Sequence, residues 1–397
     1  MTKLLLILFC AAALSLQSVS AQNALPEAQE PIPDAETNPE RIRLENSLLD
    51  AVAQLDAGNF EGARSILDSL ESIGPEDGAV QYYLGLCCFS TRDIPGAVTH
   101  FENASRLDTT NLWYRETLAN IYVGMGEAAK AGELFTLLSE ENPAKYRNAY
   151  TMSLMADAYR LKRDYDSFLG VLTDLATDPD VDDETKSRAL LGALGGFDTR
   201  TLTSLLPRLD TLMQAYAAAE PASLQAHRLR MEIAALREDH PTVISECERL
   251  IEMQPGDTAQ IVTCLSIIGD TLHSMGDTRK AYKTYQKALR LDPRNCPVLN
   301  NYAYYLSLER KRMCKAERMS KITIDEQPDN ATYLDTYGWI LYLRGKAEKA
   351  KPYFKHAMIY GGKDSAVILM HYAIVLEALG EEDLASYYRN LAESKAK

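Results

Sequence analysis

The chain has 397 residues, of which 46% are hydrophobic and 25% are charged, and its net charge is −14 at pH 7. This composition is typical of a folded protein and excludes a disordered chain, while the length predicts several domains or a repeat array. The acidic balance and the absence of a long basic run argue against a nucleic-acid partner, because phosphate binding needs clustered lysine and arginine.

The first 21 residues have the pattern of an export signal. Lys3 supplies the positive start, a short apolar run follows, and residues 19–21 form a small-residue cleavage site. We expect cleavage after Ala21 and a mature chain without an integral membrane segment, because no second apolar span follows. Cys10 lies inside the apolar run, which argues against lipid attachment there but leaves it open. Residues 22–41 are rich in Pro, Glu, Gln and Ala, which predicts a flexible linker.

A pattern with a period of 34 residues begins within 42–177. Ala63, Ala97 and Ala131 follow each other at this spacing, and each has a large apolar residue four positions later. Glycine-containing turn signals separate stretches of helical periodicity. The pattern predicts an array of helical hairpins, in which the fourth unit, around Phe168, follows at 37 residues because a loop is longer by three.

The periodicity weakens in residues 178–222, which we interpret as an irregular helical hairpin after an acidic connection. The alternating aspartates at 178–182 look like the start of a calcium-binding loop. Such a loop needs glycine at its sixth position and glutamate at its twelfth, where this chain has Asp183 and Ala189. The sequence therefore predicts no metal site and no cofactor.

Repeats resume in residues 223–397, and the clearest unit is 262–295. Small residues there would let two helices approach closely, an aromatic residue would fill the gap between them, and a proline ends the second helix: Gly269, Ala281, Ala288, Tyr285 and Pro293. The last helix becomes polar, as a capping helix should.

These five positions resemble the tetratricopeptide repeat (TPR) pattern. The resemblance covers roughly 42–396 and implies an all-α fold, an α–α superhelix or solenoid of stacked antiparallel helical hairpins with a concave face. Combined with the signal segment, the resemblance implies an exported bacterial protein that is located in the periplasm or cell envelope.

In the family, defined positions of each first helix line the concave groove. Carried onto this sequence, they give the candidate partner-binding residues Tyr82, Trp113, Asn120, Asn300, Tyr304, Asp335, Trp339 and Tyr342. Tyrosine and tryptophan favour a binding surface, because they are enriched at interface hot spots. The alternative is that these aromatic residues pack between adjacent hairpins. The lysine and arginine residues of the family's carboxylate clamp are largely missing.

The sequence has no catalytic signature. Zinc-protease, nucleophile-elbow, phosphate-loop and CxxC motifs are absent, and the six histidines are scattered over different repeats. Most cysteines are predicted to be buried apolar residues, and only Cys247 and Cys264 remain candidates for a disulfide.

These observations predict a non-enzymatic scaffold that binds a peptide or another protein in its concave groove. The alternative is an envelope polysaccharide or glycan that stacks on groove aromatics. The sequence determines neither the partner nor the oligomeric state.

Overall fold

The computed structural model describes residues 39–395. Every regular element in this range is helical, which confirms the predicted all-α fold of stacked antiparallel hairpins. None of the helices in this range is both long enough and apolar enough to cross a membrane. The predicted signal segment, Cys10 and most of the predicted linker lie outside the described residues, and the first described helix begins at Pro39.

The chain divides into two compact units, and the first ends at Phe197. Its helices are α1 (Pro39–Asp56), α2 (Phe60–Ile73), α3 (Gly78–Ser90), α4 (Ile94–Leu107), α5 (Leu112–Met125), α6 (Ala128–Glu141), α7 (Pro143–Tyr146), α8 (Ala149–Lys162), α9 (Tyr165–Thr177) and α10 (Asp183–Leu194). Helices α1 to α6 contact their neighbours in chain order. The four-residue helix α7 explains the 37-residue step, because it inserts an extra turn before α8.

The second unit starts at Asp198. Its helices are α11 (Thr199–Ala219), α12 (Leu224–Leu236), α13 (His240–Met253), α14 (Thr258–Ser274), α15 (Thr278–Leu291), α16 (Cys296–Leu308), α17 (Met313–Glu326), α18 (Ala331–Leu343), α19 (Ala347–Ala357), α20 (Ala366–Ala378) and α21 (Glu382–Lys395). A short 3-10 helix at Gly362–Asp364 precedes α20. The boundary between the units falls inside the irregular interval 178–222, between α10 and α11.

Each hairpin turn is encoded locally. Gly276 has φ of +82°, a left-handed conformation that ends α14 with little cost because glycine has no Cβ. Asp277 follows and caps α15, since its carboxylate accepts a hydrogen bond of 3.2 Å from the backbone amide of Lys280. Asparagine and aspartate cap other second helices in the same way, at Asn59, Asp93, Asp164 and Asp239.

In three hairpins a glycine of the first helix meets an aromatic ring of the second: Gly85 with Phe101, Gly269 with Tyr285, and Gly338 with Phe354. A Cβ on Gly269 would lie 2.5 Å from the Tyr285 ring, and one on Gly85 would lie 2.8 Å from the Phe101 ring. The rings themselves are fully buried. Only glycine allows these rings to pack directly on the neighbouring helix, because the closest approach real Cβ atoms show is about 3 Å.

The cysteines of the described range are all free thiols, and only Cys314 is exposed. Cys247 and Cys264 lie in one buried cluster between α13 and α14. The thiol of Cys247 donates a hydrogen bond of 3.3 Å to Sδ of Met231. Its neighbour Cys264, together with burial, raises the pKa of Cys247 above its usual value. Cys247 and Cys264, which the sequence analysis kept as candidates for a disulfide, are therefore both free thiols in this structure.

Candidate protein-binding surface

The first helices of the hairpins in the second unit form one layer. Helix α14 contacts α16, α16 contacts α18, and α18 contacts α20. Each second helix packs mainly on the first helices of its own and the next hairpin. Because the more closely packed layer lies on the inner side of a curved stack, these four helices form the concave side of this part of the array.

A partly buried carboxylate joins α14 to its neighbours. Asp270 accepts hydrogen bonds of 2.5 Å from the hydroxyl of Tyr285 and 3.1 Å from the amide nitrogen of Asn301. Desolvation raises the pKa of Asp270 despite these bonds. One turn later, His273 stacks on Tyr305 with ring centroids 3.7 Å apart. Burial lowers the pKa of His273, so the ring is neutral at pH 7.

A second carboxylate joins α18 to α20 in a similar way. Asp335 is buried and accepts a hydrogen bond of 2.9 Å from Nδ1 of His371. The imidazole of His371 also stacks on Trp339 at 4.0 Å, with the rings nearly parallel. Tyr342 continues this aromatic row, with its ring centroid 5.2 Å from that of Trp339.

Helix α16 lies between these two clusters and places two predicted residues. Asn300 is only 5% exposed, and Tyr304 is partly exposed. Burial raises the pKa of Tyr304, and the nearby charge of Asp335 adds to the shift. The concave side of α14 to α20 is thus a continuous row of polar and aromatic side chains that cross from one hairpin to the next.

The predicted residues of the first unit are distributed differently. Tyr82 is buried, stacks on Tyr114 at 4.9 Å and accepts a hydrogen bond from the indole nitrogen of Trp113. Trp113 keeps 51% of its surface exposed, and Asn120 is also exposed. Trp113 therefore offers a ring to solvent, while Tyr82 mainly connects two hairpins.

Two family models described as tetratricopeptide repeat match the chain, one over residues 48–111 and the other over residues 231–397. Together they cover more than half of the sequence. The chain belongs to the tetratricopeptide repeat family. Repeats of this family are non-catalytic scaffolds for contacts between proteins, and this tetratricopeptide repeat protein is accordingly a protein-interaction scaffold.

Solved structures similar to this tetratricopeptide repeat protein include MamA from Desulfovibrio magneticus RS-1. It is 14% identical, with a TM-score of 0.36 over 44% of this chain and 94% of the MamA chain. Yeast Tom70 is 15% identical, with a TM-score of 0.36 over 90% of this chain and 77% of the Tom70 chain. No curated protein sequence matches this chain.

The structure brings Asp335, Trp339 and Tyr342 of this tetratricopeptide repeat protein together and joins them to a residue that the sequence analysis did not select. His371 lies outside the groove positions of its own repeat, yet it contacts both Asp335 and Trp339. The only signal for it in the sequence is a histidine in the middle of the mostly apolar helix α20. These side chains pack between hairpins, and they also line one face of α18 and α20.

Proposed function

We propose that this protein binds an extended segment of another protein along the concave side of α14, α16, α18 and α20, without catalysing a reaction. The proposed location is the periplasm or cell envelope, supported by the export-type pattern of residues 1–21. An N-terminal sequence of the purified protein that starts at Gln22 would support export, and an intact Met1 would contradict it.

One observation carries the binding proposal: three successive first helices each hold a polar atom without a hydrogen-bond partner in the described residues. These atoms are Nε2 of His273, Oδ1 of Asn300 and Nε1 of Trp339. An unpaired buried polar group costs about 1–3 kcal/mol. A peptide backbone supplies both hydrogen-bond donors and acceptors. It therefore suits a row of side chains that contains the indole donor of Trp339 and the amide acceptor of Asn300, once these side chains rotate toward the peptide.

The spacing of the helices also suits an extended peptide. Axes of packed helices lie about 8–10 Å apart, and an extended chain rises by about 3.3 Å per residue. Roughly every third residue of the ligand would therefore meet a new hairpin. Tyr304 and Tyr342, which are partly exposed, would supply contact area beside the polar atoms.

Glycan binding, the alternative, has weaker support. A sugar ring needs a free aromatic face, and His371 already covers one face of Trp339 at 4.0 Å. Trp113 is half exposed, but it stands in the other compact unit. A flat calorimetric trace with soluble cell-wall fragments would exclude this alternative.

A displayed library of random peptides tests the proposal directly. Peptides enriched on the full chain are measured against Trp339→Phe, which keeps the stacked ring and removes only the indole donor, and against Tyr342→Ala. We expect a loss of affinity of about tenfold for each variant, from one hydrogen bond or one aromatic contact.

The matched control is Tyr387→Ala, which removes a 59% exposed tyrosine from α21, outside the concave face. Its peptide affinity should equal that of the wild type. Equal binding by all variants, with unchanged circular dichroism, would refute the assignment of the concave face.

A further inference from the structure

Positive charge is concentrated in one part of this acidic chain. Residues 277–363 contain 18 lysine and arginine residues against nine aspartate and glutamate residues, although the whole chain has a net charge of −14. This segment comprises the hairpins from α15 to α19. The cations are dispersed in the sequence, so they do not form the long run by which a basic region is usually recognised.

Helix α15 arranges its cations as a stripe. Arg279, Lys283, Lys287 and Arg290 follow at spacings of four, four and three residues, so they share one helix face, and all four are exposed. The opposite face is buried through Tyr285 and its neighbours. The stripe spans 11 residues, which corresponds to about 16 Å along the helix axis.

These four side chains make no ion pair within the described residues, although many other exposed cations of the chain do. The same holds for exposed residues of the next two second helices and the turn before α17: Arg312, Arg318, Lys349 and Lys355. Since these cations have no ion-pair partner within the described residues, the second helices α15, α17 and α19 expose unpaired positive charge to solvent. We call these eight residues the outer basic face.

An apolar tip adjoins this face. Ile359 and Tyr360 follow the end of α19 and are 71% and 47% exposed. Lys355 precedes them and Lys363 follows them, both exposed. Large apolar residues without cover, flanked by lysine, are what an interfacial segment needs, because the apolar side chains enter the acyl boundary while the ammonium groups stay at the headgroups.

We propose that the outer basic face and the Ile359–Tyr360 tip bind an anionic lipid surface. Juxtaposed cations attract anionic headgroups at long range, and the tip adds a hydrophobic contact. An acidic peptide or a nucleic acid would use the charges but not the exposed isoleucine. The concave side stays free, so one face would hold the membrane and the other a protein.

The test is co-sedimentation of the full chain with vesicles of phosphatidylcholine alone or mixed equally with phosphatidylglycerol. We expect binding only to the mixed vesicles, and weaker binding when ionic strength rises from about 0.1 M to about 1 M, because the Debye length falls from about 10 Å to about 3 Å. Every variant keeps the same N-terminal segment, so differences between variants report on this face.

Two variants separate the two contributions. Lys283→Glu with Lys287→Glu should lower vesicle affinity by at least about 30-fold, since each cation near an anionic surface contributes about fivefold. Ile359→Ser should lower it about tenfold, by loss of the inserted side chain. The matched control reverses two exposed arginines elsewhere, Arg106→Glu with Arg200→Glu, and should leave affinity nearly unchanged.

Failure to sediment with the mixed vesicles would overturn the proposal, as would an equal loss in the control. Tighter binding to soluble poly-glutamate or DNA, insensitive to Ile359→Ser, would also overturn it by assigning the face to an acidic macromolecule. Circular dichroism verifies folding, and Lys283→Gln with Lys287→Gln replaces the reversal if folding fails. Peptide binding on the concave side is measured separately, so the two proposals can fail independently.

Discussion

Alanine at Gly85 should destabilise the first unit, although alanine normally favours a helix over glycine by about 1 kcal/mol. An added Cβ would lie 2.8–3.0 Å from three ring carbons of Phe101, a side chain with no exposed surface. Forcing a methyl group into a filled core costs about 1–3 kcal/mol. After the gain in helix propensity is subtracted, Gly85→Ala should lose up to about 2 kcal/mol.

The matched control is Gly170→Ala in α9, where nothing lies within 4 Å of the added Cβ. This variant should gain up to about 1 kcal/mol. The double variant Gly85→Ala with Phe101→Leu should lose less than the sum of its single changes, because the smaller side chain relieves the overlap.

Hydrogen exchange of backbone amides in α3 and α4 is the suitable assay, because repeat arrays unfold in local steps rather than all at once. Equal stabilisation by Gly85→Ala and Gly170→Ala would refute the reasoning. It would mean that the Phe101 ring moves aside freely and that glycine is not required at this contact.

Three further predictions concern titratable groups of the second unit. Desolvation raises the pKa of Asp270, so the stability that this group contributes is lost as pH rises from its unfolded pKa of about 4 through its higher folded pKa. Asp270→Asn should therefore gain stability relative to the wild type as pH rises above about 4, measured by urea unfolding. A difference that does not change with pH would contradict the raised pKa. In a native-state disulfide-exchange titration, Cys314→Ser should remove the one rapidly reacting thiol of the described range, because the other cysteines there are buried. Fast labelling that is unchanged in this variant would contradict the prediction. Glu246→Ala should lower the free energy of unfolding by about 3–5 kcal/mol in thermal unfolding. The reason is that the Glu246 carboxylate, only 5% exposed, pairs with both His227 (2.6 Å) and Arg230 (2.8 Å). A loss below about 1 kcal/mol would mean that water replaces the carboxylate.

Several features of the site could be anticipated because they depend on residues close in sequence. The spacing of small and aromatic residues in 262–295 predicts the contact between Gly269 and Tyr285, which are 16 positions apart in one hairpin. The three-residue spacing between Trp339 and Tyr342 likewise predicts that they share one helix face, and their rings are adjacent in the structure. The partners of these residues were not predictable, because they lie on the next hairpin.

The contact between Asp335 and His371 shows this limit. The two residues are 36 positions apart and occupy different places in their repeats, so the repeat register does not pair them. Whether Tyr82 is buried while Trp113 is exposed depends on how neighbouring hairpins rotate against each other. The unpaired cations of α15 are a further case, since ion pairing depends on which acidic groups come within reach.

The helices, their turns and the repeat family could be predicted from the amino-acid sequence, because periodicity, capping residues and glycine positions act within about 34 residues. The burial of particular side chains, the unpaired polar atoms and the gathering of the basic residues became visible only in the folded chain. The physical reason is that these properties arise between hairpins, where side-chain packing and burial select partners that no local pattern specifies.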